Sequence, residues 1–138
     1  MIRLRVPGAL KYRDLAVRAV AAACKLVGDS EARSRGEFDD QVISAFGEAF
    51  NNAAIHCYAG RPRGDVEIEM VIAKEGITIR MLDYGNSFDI DNVPEPDLDA
   101  LPESGMGIFI IKSFMDEVTY QKGAPNVLSM TKRLREGA

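Results

Sequence analysis

Residues 48–56 of the chain read Glu48-Ala49-Phe50-Asn51-Asn52-Ala53-Ala54-Ile55-His56, which places Glu48, Asn52 and His56 four residues apart. In an α-helix this spacing puts the three side chains on one stripe beside an apolar stripe, here residues 42, 43, 46, 49, 50 and 53. A carboxylate and a carboxamide one turn apart could hold a hydrated cation and orient a hydroxyl group. A helix with an ordinary polar edge gives the same pattern, so the motif alone leaves both interpretations open.

Length and composition indicate a soluble globular protein. The 138 residues, 46% hydrophobic and 28% charged, predict a single domain over residues 1–138. A net charge of -4 without a long basic run argues against nucleic acid as a partner. The apolar run of residues 19–24 is too short for a membrane span, and residues 1–8 do not resemble a secretory signal. Cys24 and Cys57 lack metal-site spacing, so we expect small buried residues and a cytoplasmic location.

The first third of the chain predicts a strand followed by two helices. Ile2, Leu4 and Val6 alternate with arginines, the period of a strand. Residues 10–27 show helical spacing with a wide apolar face, in which residues 15, 19, 22 and 26 form one row and residues 16, 20, 23 and 27 the next. Ser34 and Glu37 form a possible capping box for the second helix, which we expect to end near Gly60.

A β-hairpin is predicted next, over residues 66–72 and 77–81, with its turn at residues 74–76. Asp83 continues the buried parity of the second strand. Burial of an aspartate is costly unless another group hydrogen-bonds to it. The alternative is that the strand ends at Leu82 and Asp83 is a turn residue.

The segment from Ile90 to Ser104 contains three prolines and five acidic residues, a composition typical of a functional lid or a disordered loop. The segment ends at Ser104-Gly105-Met106-Gly107. An apolar stretch, residues 108–115, comes next and predicts a buried helix that begins at the glycines. Free N–H groups at such a helix start can bind phosphate, although a tight turn would show the same residues. Two further strands are expected around residues 118–120 and 128–130.

Three motifs occur in the order of a known family. They are Glu-Ala-x-x-Asn-x-x-x-His at residues 48–56, Asp-x-Gly-x-x-Phe-Asp at 83–89, and Ser-Gly-Met-Gly at 104–107, with Phe-Met-Asp-Glu-Val at 114–118. Over nearly its whole length the chain resembles the ATP-binding domain of the GHKL superfamily of gyrase, histidine kinases and mismatch-repair ATPases. Within it, the chain is most similar to the small bacterial anti-sigma factor serine kinases.

The resemblance implies a fold and a set of site residues. The fold would be an α/β sandwich of the Bergerat ATP-binding type, with a mixed, mostly antiparallel sheet, helices on one face and a lid at about residues 90–104. Glu48 would be the general base and Asn52 the Mg²⁺ ligand, while Asp83 would accept a hydrogen bond from the adenine amino group. The remaining nucleotide-binding residues would be Gly85, Phe88, Ser104, Gly105, Met106 and Gly107. We assign His56 a structural role.

The chain departs from the family pattern at two places. No Lys or Arg occurs between Asp83 and Lys112, and Glu103 stands where some relatives have a basic residue near the terminal phosphate. Pro125-Asn126 replaces the Gly-Thr that often opens the last strand in relatives.

The function implied by the resemblance is that of a cytoplasmic serine/threonine kinase and anti-sigma factor, using ATP and Mg²⁺. It would hold a sigma factor and phosphorylate an anti-anti-sigma protein of the STAS type, with a homodimer through a sheet and helix surface as a further possibility. The first alternative is an ATP-binding regulatory module with little kinase activity. The second, a histidine kinase catalytic domain, is disfavoured because no dimerisation helix with a phosphoacceptor His is visible.

Overall fold

The structure, a computed structural model, describes residues 1–28, 36–58, 64–86 and 103–135. The described residues form five strands, β1 (Ile2–Pro7), β2 (Asp65–Ile72), β3 (Gly76–Asp83), β4 (Glu117–Gln121) and β5 (Asn126–Arg133). The helices are α1 (Arg13–Cys24), which follows a 3₁₀ turn (Leu10–Tyr12), α2 (Gly36–Asn51), which continues into a π-helix (Asn52–Cys57), and α3 (Glu103–Phe114).

The strands form one sheet in the order β1-β2-β3-β5-β4. All four pairings between the described strands are antiparallel. The predicted α/β fold with a mostly antiparallel sheet is therefore confirmed. In the chain, α3 lies between β3 and β4. In the sheet, β5 lies between these two strands, so the end of β3 lies next to the start of β5.

The hydrophobic core lies between the helices and one face of the sheet. Alternate strand residues point into it because successive side chains of a strand face opposite sides. The fully buried strand residues include Ile68, Met70, Ile79, Met81 and Met130. The helices contribute the buried residues Val42, Phe46 and Phe50 from α2 and Ile108 and Ile111 from α3. The core thus fixes α2 and α3 side by side over the sheet.

The burial of α1 differs from the prediction. The structure buries Ala16, Val20, Ala23 and Cys24, and leaves Leu15 and Leu26 56% and 62% exposed. The physical reason is close packing, since α1 lies against α2 and β2 and small side chains allow that approach. The row of residues 16, 20 and 23 therefore faces the core, whereas the row containing both leucines faces solvent.

The second helix also differs from the prediction in its last turns. Its α-helical part ends at Asn51, and a π-helix covers Asn52–Cys57. Single π turns inside α-helices often mark functional sites. Ser34 of the predicted capping box and the predicted end near Gly60 lie outside the described residues. Across the described ranges, no helix combines the length and apolar character needed to span a bilayer.

An ionic cluster lies on the face of the sheet opposite the helices. Arg3, Glu69 and Arg80 stand next to one another on β1, β2 and β3. Both arginines donate to the Glu69 carboxylate, at 2.8 Å from Arg3 and 3.1 Å from Arg80, and Glu69 is only 6% exposed. The cluster joins three strands without contributing to the core.

Candidate functional site

Glu48 and Asn52 face the gap between α2 and α3. Glu48 is partly buried, and Asn52, the first residue of the π-helix, is 8% exposed. Within the described ranges neither side chain makes a hydrogen bond, and Asn52 Nδ2 is buried without a partner. An orphaned buried N–H costs about 1–3 kcal/mol. Two polar groups held in this way are typical of a ligand site rather than of a structural network.

Gly107 of α3 closes on the same two side chains. A Cβ atom at this position would lie 3.1 Å from Glu48 Oε2 and 3.6 Å from Asn52 Oδ1. The missing side chain therefore lets α3 approach these two oxygen atoms closely. The prediction that residues 48, 52 and 107 belong to one site remains a prediction about function, but the structure brings them together.

The start of α3 differs from the prediction. The helix begins at Glu103, two residues before Gly105, so Glu103 and Ser104 belong to the helix and not to the lid. The N–H groups of the first three residues of an α-helix have no acceptor within it, and here they belong to residues 103–105. Free N–H groups are thus available from Glu103, Ser104 and Gly105, whereas Gly107 allows the close approach of α3 to Glu48.

Asp83 is the last residue of β3 and is 4% exposed. The alternative interpretation, a turn residue beyond the end of the strand, is wrong. Its Oδ1 accepts hydrogen bonds from Gly85 N at 2.9 Å and from Asn126 Nδ2 at 3.0 Å. Its Oδ2 accepts none from the part of the chain that the structure describes. The buried carboxylate therefore keeps one oxygen for a further donor.

Tyr58 links the π-helix to the strand ends. Its hydroxyl donates to Asp65 O at 2.9 Å and accepts from Tyr84 N at 3.2 Å. Tyr84 directly follows Asp83, so the tyrosine ties the end of the π-helix to the segment that carries the aspartate. Sequence reasoning missed both Tyr58 and the contact of Asn126 with Asp83, because no motif marks a cross-strand hydrogen bond.

Some predicted features cannot be compared with the structure. Phe88 and most of the predicted lid, residues 90–102, lie outside the described residues. So do the side chains of His56, Cys57, Glu103 and Ser104. Cys24, in contrast, is a fully buried residue, as predicted.

The donor set suits a hard cation that shares its coordination with a substrate. No group of three or more His, Cys, Asp or Glu side chains that could hold a metal ion occurs among the described residues. Mg²⁺ commonly takes one or two protein oxygens and completes its octahedron with water and phosphate oxygens. Asn52 Oδ1, with Glu48 nearby, provides such oxygens, so these residues fit Mg²⁺ bound together with a nucleotide.

A cavity of about 350 Å³ lies at the opposite end of α2, between Glu37, the end of α3 and the end of β5. Its cations already have partners. Lys132 Nζ donates to Phe114 O at 2.7 Å, and Arg135 pairs with Asp116 at 2.8 Å. The pKa of Arg133 is raised, first by its hydrogen bond to Glu117 and then by the charge of that carboxylate. Because the cavity lies at the end of α2 away from Glu48 and Asn52, it is not part of the candidate site.

Comparison with known proteins gives a family that agrees with this geometry. The family model described as the histidine kinase-like ATPase domain matches residues 10–132. The chain belongs to the histidine kinase-like ATPase family. The matched range includes α2, the end of β3 and α3, the three elements that carry the candidate site.

Relatives of this ATPase domain include serine-protein kinases. Proteins named serine-protein kinase RsbW, from Staphylococcus aureus strains RF122 / ET3-1, MRSA252 and JH9, are each 31% identical to the chain over 144 residues. Each match covers 98% of this chain and 87% of the relative. The membership in the anti-sigma factor serine kinase branch of the superfamily, predicted from the motifs, is confirmed by these comparisons.

Proposed function

We propose that the protein is an ATP-dependent serine/threonine kinase that acts as an anti-sigma factor. It phosphorylates an anti-anti-sigma protein of the STAS type and, in another state, holds a sigma factor. The observation that carries the proposal is the close approach of Gly107 to Glu48 Oε2 and Asn52 Oδ1. The name of the relatives, serine-protein kinase, supports the choice of a hydroxyl group as acceptor.

The base of ATP would bind at the ends of β3 and β5. Asp83 Oδ2, which accepts no hydrogen bond from a described residue, would accept one from the exocyclic amino group. Gly85 is buried and has no side chain, so the base can approach the backbone there. The phosphates would extend towards the start of α3, where Glu103, Ser104 and Gly105 offer backbone N–H groups and the positive end of the helix dipole.

Phosphoryl transfer would use Glu48 as the general base. The serine or threonine oxygen of the partner attacks the γ-phosphorus, the bond to the leaving ADP oxygen breaks, and Glu48 takes the hydroxyl proton. Asn52 would hold Mg²⁺ through Oδ1, and the ion would neutralise charge on the phosphates when bound. Lys and Arg are absent from residues 84–111, so backbone N–H groups must supply the other positive potential from this part of the chain.

The binding of partner proteins is the second half of the proposal. A homodimer would use the free edge of β1 together with the solvent-facing row of α1. Ile2 at that edge, Leu15 on α1 and Leu26 just beyond the end of α1 are exposed. Unpaired strand edges and exposed leucines are both features that proteins usually cover.

One observation favours a second candidate function. The segment that follows Asp83 is acidic and contains no cation, which would slow transfer of a charged phosphoryl group. An ATP-binding regulatory module would then use the nucleotide only to change which partner it holds.

A phosphoryl-transfer assay tests the proposal and separates the two candidates. The protein is incubated with Mg²⁺, γ-labelled ATP and a purified STAS-type anti-anti-sigma protein from the same organism. The comparison is between wild type, Glu48→Gln and Glu37→Gln. Glu37 is a matched control, since it lies on the same helix, is exposed and hydrogen-bonds only to Gln41 in the described structure.

We expect wild type and Glu37→Gln to label the partner, and Glu48→Gln to label it about 10²–10⁴-fold more slowly while still binding ATP. The product should survive acid, as phosphoserine does and phosphohistidine does not. ATP binding without any labelling of the partner, together with nucleotide-dependent partner exchange, would identify the regulatory module. Failure of the wild-type protein to bind ATP would contradict both candidates.

A further inference from the structure

Asn126, the first residue of β5, is 1% exposed and uses its whole carboxamide. Nδ2 donates to Asp83 Oδ1 at 3.0 Å and to Gly85 O at 3.0 Å. Oδ1 accepts from Gly123 N at 3.0 Å. A carboxamide has two N–H donors, so both are committed and the side chain has a single orientation.

This orientation fixes the carboxylate of Asp83. Asp83 and Asn126 are directly opposite each other at the last pair of the β3–β5 ladder. Asp83 Oδ1 already accepts from Gly85 N at 2.9 Å, and the second donor from Asn126 leaves it little freedom to rotate. The direction in which Oδ2 offers its lone pairs is therefore set by Asn126 together with Gly85.

We propose that Asn126 is a positioning residue that sets the selectivity of the site for a purine with an exocyclic 6-amino group. This inference rests on the proposed function, because it assumes that Asp83 Oδ2 contacts the base. A fixed acceptor matches an N–H donor but repels a carbonyl oxygen at the same position. A ligand that leaves a buried polar group unpaired, or places a like-charged atom against it, binds much more weakly than a similar ligand that pairs with it.

The alternative is that Asn126 only holds the turn between β4 and β5. The hydrogen bond that Asn126 Oδ1 accepts from Gly123 N holds this turn. Gly123 lies in the turn with a φ of +158°. Two variants separate the roles. Asn126→Asp keeps an oxygen that can accept from Gly123 N but loses both donors to Asp83 and Gly85, whereas Asn126→Ala loses all three bonds.

The test measures the affinity of each protein for Mg-ATP and for Mg-ITP by calorimetry. ITP carries a carbonyl oxygen where ATP carries the 6-amino group. Thr131→Val is the matched control. It removes another cross-strand hydrogen bond between β3 and β5, Thr78 Oγ1 to Thr131 Oγ1 at 2.9 Å, on the opposite face of the sheet.

We expect wild type and Thr131→Val to prefer ATP over ITP, and the ratio of the two affinities to fall at least about tenfold in both Asn126 variants. A structural role would lower both affinities together and leave the ratio unchanged. An unchanged ratio in either folded variant would overturn the inference while leaving the proposed function intact. Wild-type protein that binds neither nucleotide would instead overturn the proposed function, and the inference with it.

A double-mutant cycle gives a second, independent test. If Asn126 acts through Asp83, then Asn126→Ala should weaken ATP binding in the wild-type background but change it by less than about twofold in an Asp83→Ala background. Equal losses in both backgrounds would show that Asn126 does not act through the carboxylate. Thermal unfolding of each variant identifies any that fails to fold, and Asn126→Asp then replaces Asn126→Ala in the cycle.

Discussion

Gly107 packs so closely on Glu48 that a Cβ atom on the glycine would lie 3.1 Å from Glu48 Oε2. The two residues come from different helices, and their approach brings the start of α3, where we place the terminal phosphates of ATP, next to the Glu48 carboxylate. This contact offers a test of the site, because even the methyl group of an alanine would crowd the Glu48 carboxylate.

Gly107→Ala should keep the fold but lower the affinity for Mg-ATP about tenfold or more. The methyl group would occupy space beside the Glu48 carboxylate and Asn52, and overpacking of this kind costs about 1–3 kcal/mol. Calorimetric titration measures the affinity, and circular dichroism checks the fold. Unchanged Mg-ATP affinity in the folded variant would place the phosphates elsewhere.

Asn52→Ala should leave the free protein at least as stable as wild type but abolish its stabilisation by Mg-ATP. The substitution removes a buried N–H without a described partner, which costs about 1–3 kcal/mol in wild type. Asn51→Ala, at the partly buried preceding residue, is the matched control and should keep the response to nucleotide. A large loss of stability in Asn52→Ala alone would indicate a structural role for Asn52.

Removal of Mg²⁺ should abolish most of the stabilisation of the wild-type protein by ATP. A ligand present at 100 times its dissociation constant stabilises a protein by about 2.7 kcal/mol. We expect ATP with Mg²⁺ to raise the thermal midpoint, and excess EDTA to reverse most of this shift. An equal shift with and without the metal would exclude the proposed role of Asn52 as a metal ligand.

Gly76→Ala should destabilise the fold by about 1–3 kcal/mol, whereas Gly47→Ala should change its stability by no more than about 1 kcal/mol. A Cβ atom on either glycine would overlap another atom. At Gly76 that atom is the backbone oxygen of Lys132, which cannot move away. At Gly47 it is Nη2 at the flexible end of Arg13. Urea unfolding measures both values, and equal costs would contradict this distinction.

Glu69→Ala should cost about 1–2 kcal/mol, less than a fully buried ion pair, because the two arginines are about half exposed and can hydrate again. Asp14→Ala is the matched control. Its pair with Arg18 is largely exposed, so its loss should cost less than about 0.5 kcal/mol. Urea unfolding at low and high salt measures both, and equal costs would show that burial of Glu69 adds nothing.

The sequence by itself determined the strands and the hairpin, and it gave the inward direction of Asp83 as one of two interpretations. These follow from local rules, since successive strand residues face opposite sides and the alternation continues from Ile77 to Asp83. The residue motifs also indicated the family before the structure was considered. Each motif lies within a short segment of the chain, so it can be recognised without knowledge of the fold.

Only the tertiary structure decided which groups meet across the chain. Two rows of α1 were apolar, and close packing against α2 selected the row of small residues. Asp83 finds its donor on Asn126, 43 residues away, because the β3–β5 register places them opposite each other. Gly107 has its role because α3 lies against α2. Spatial neighbours of this kind depend on register and packing distance, which no local pattern of residues encodes.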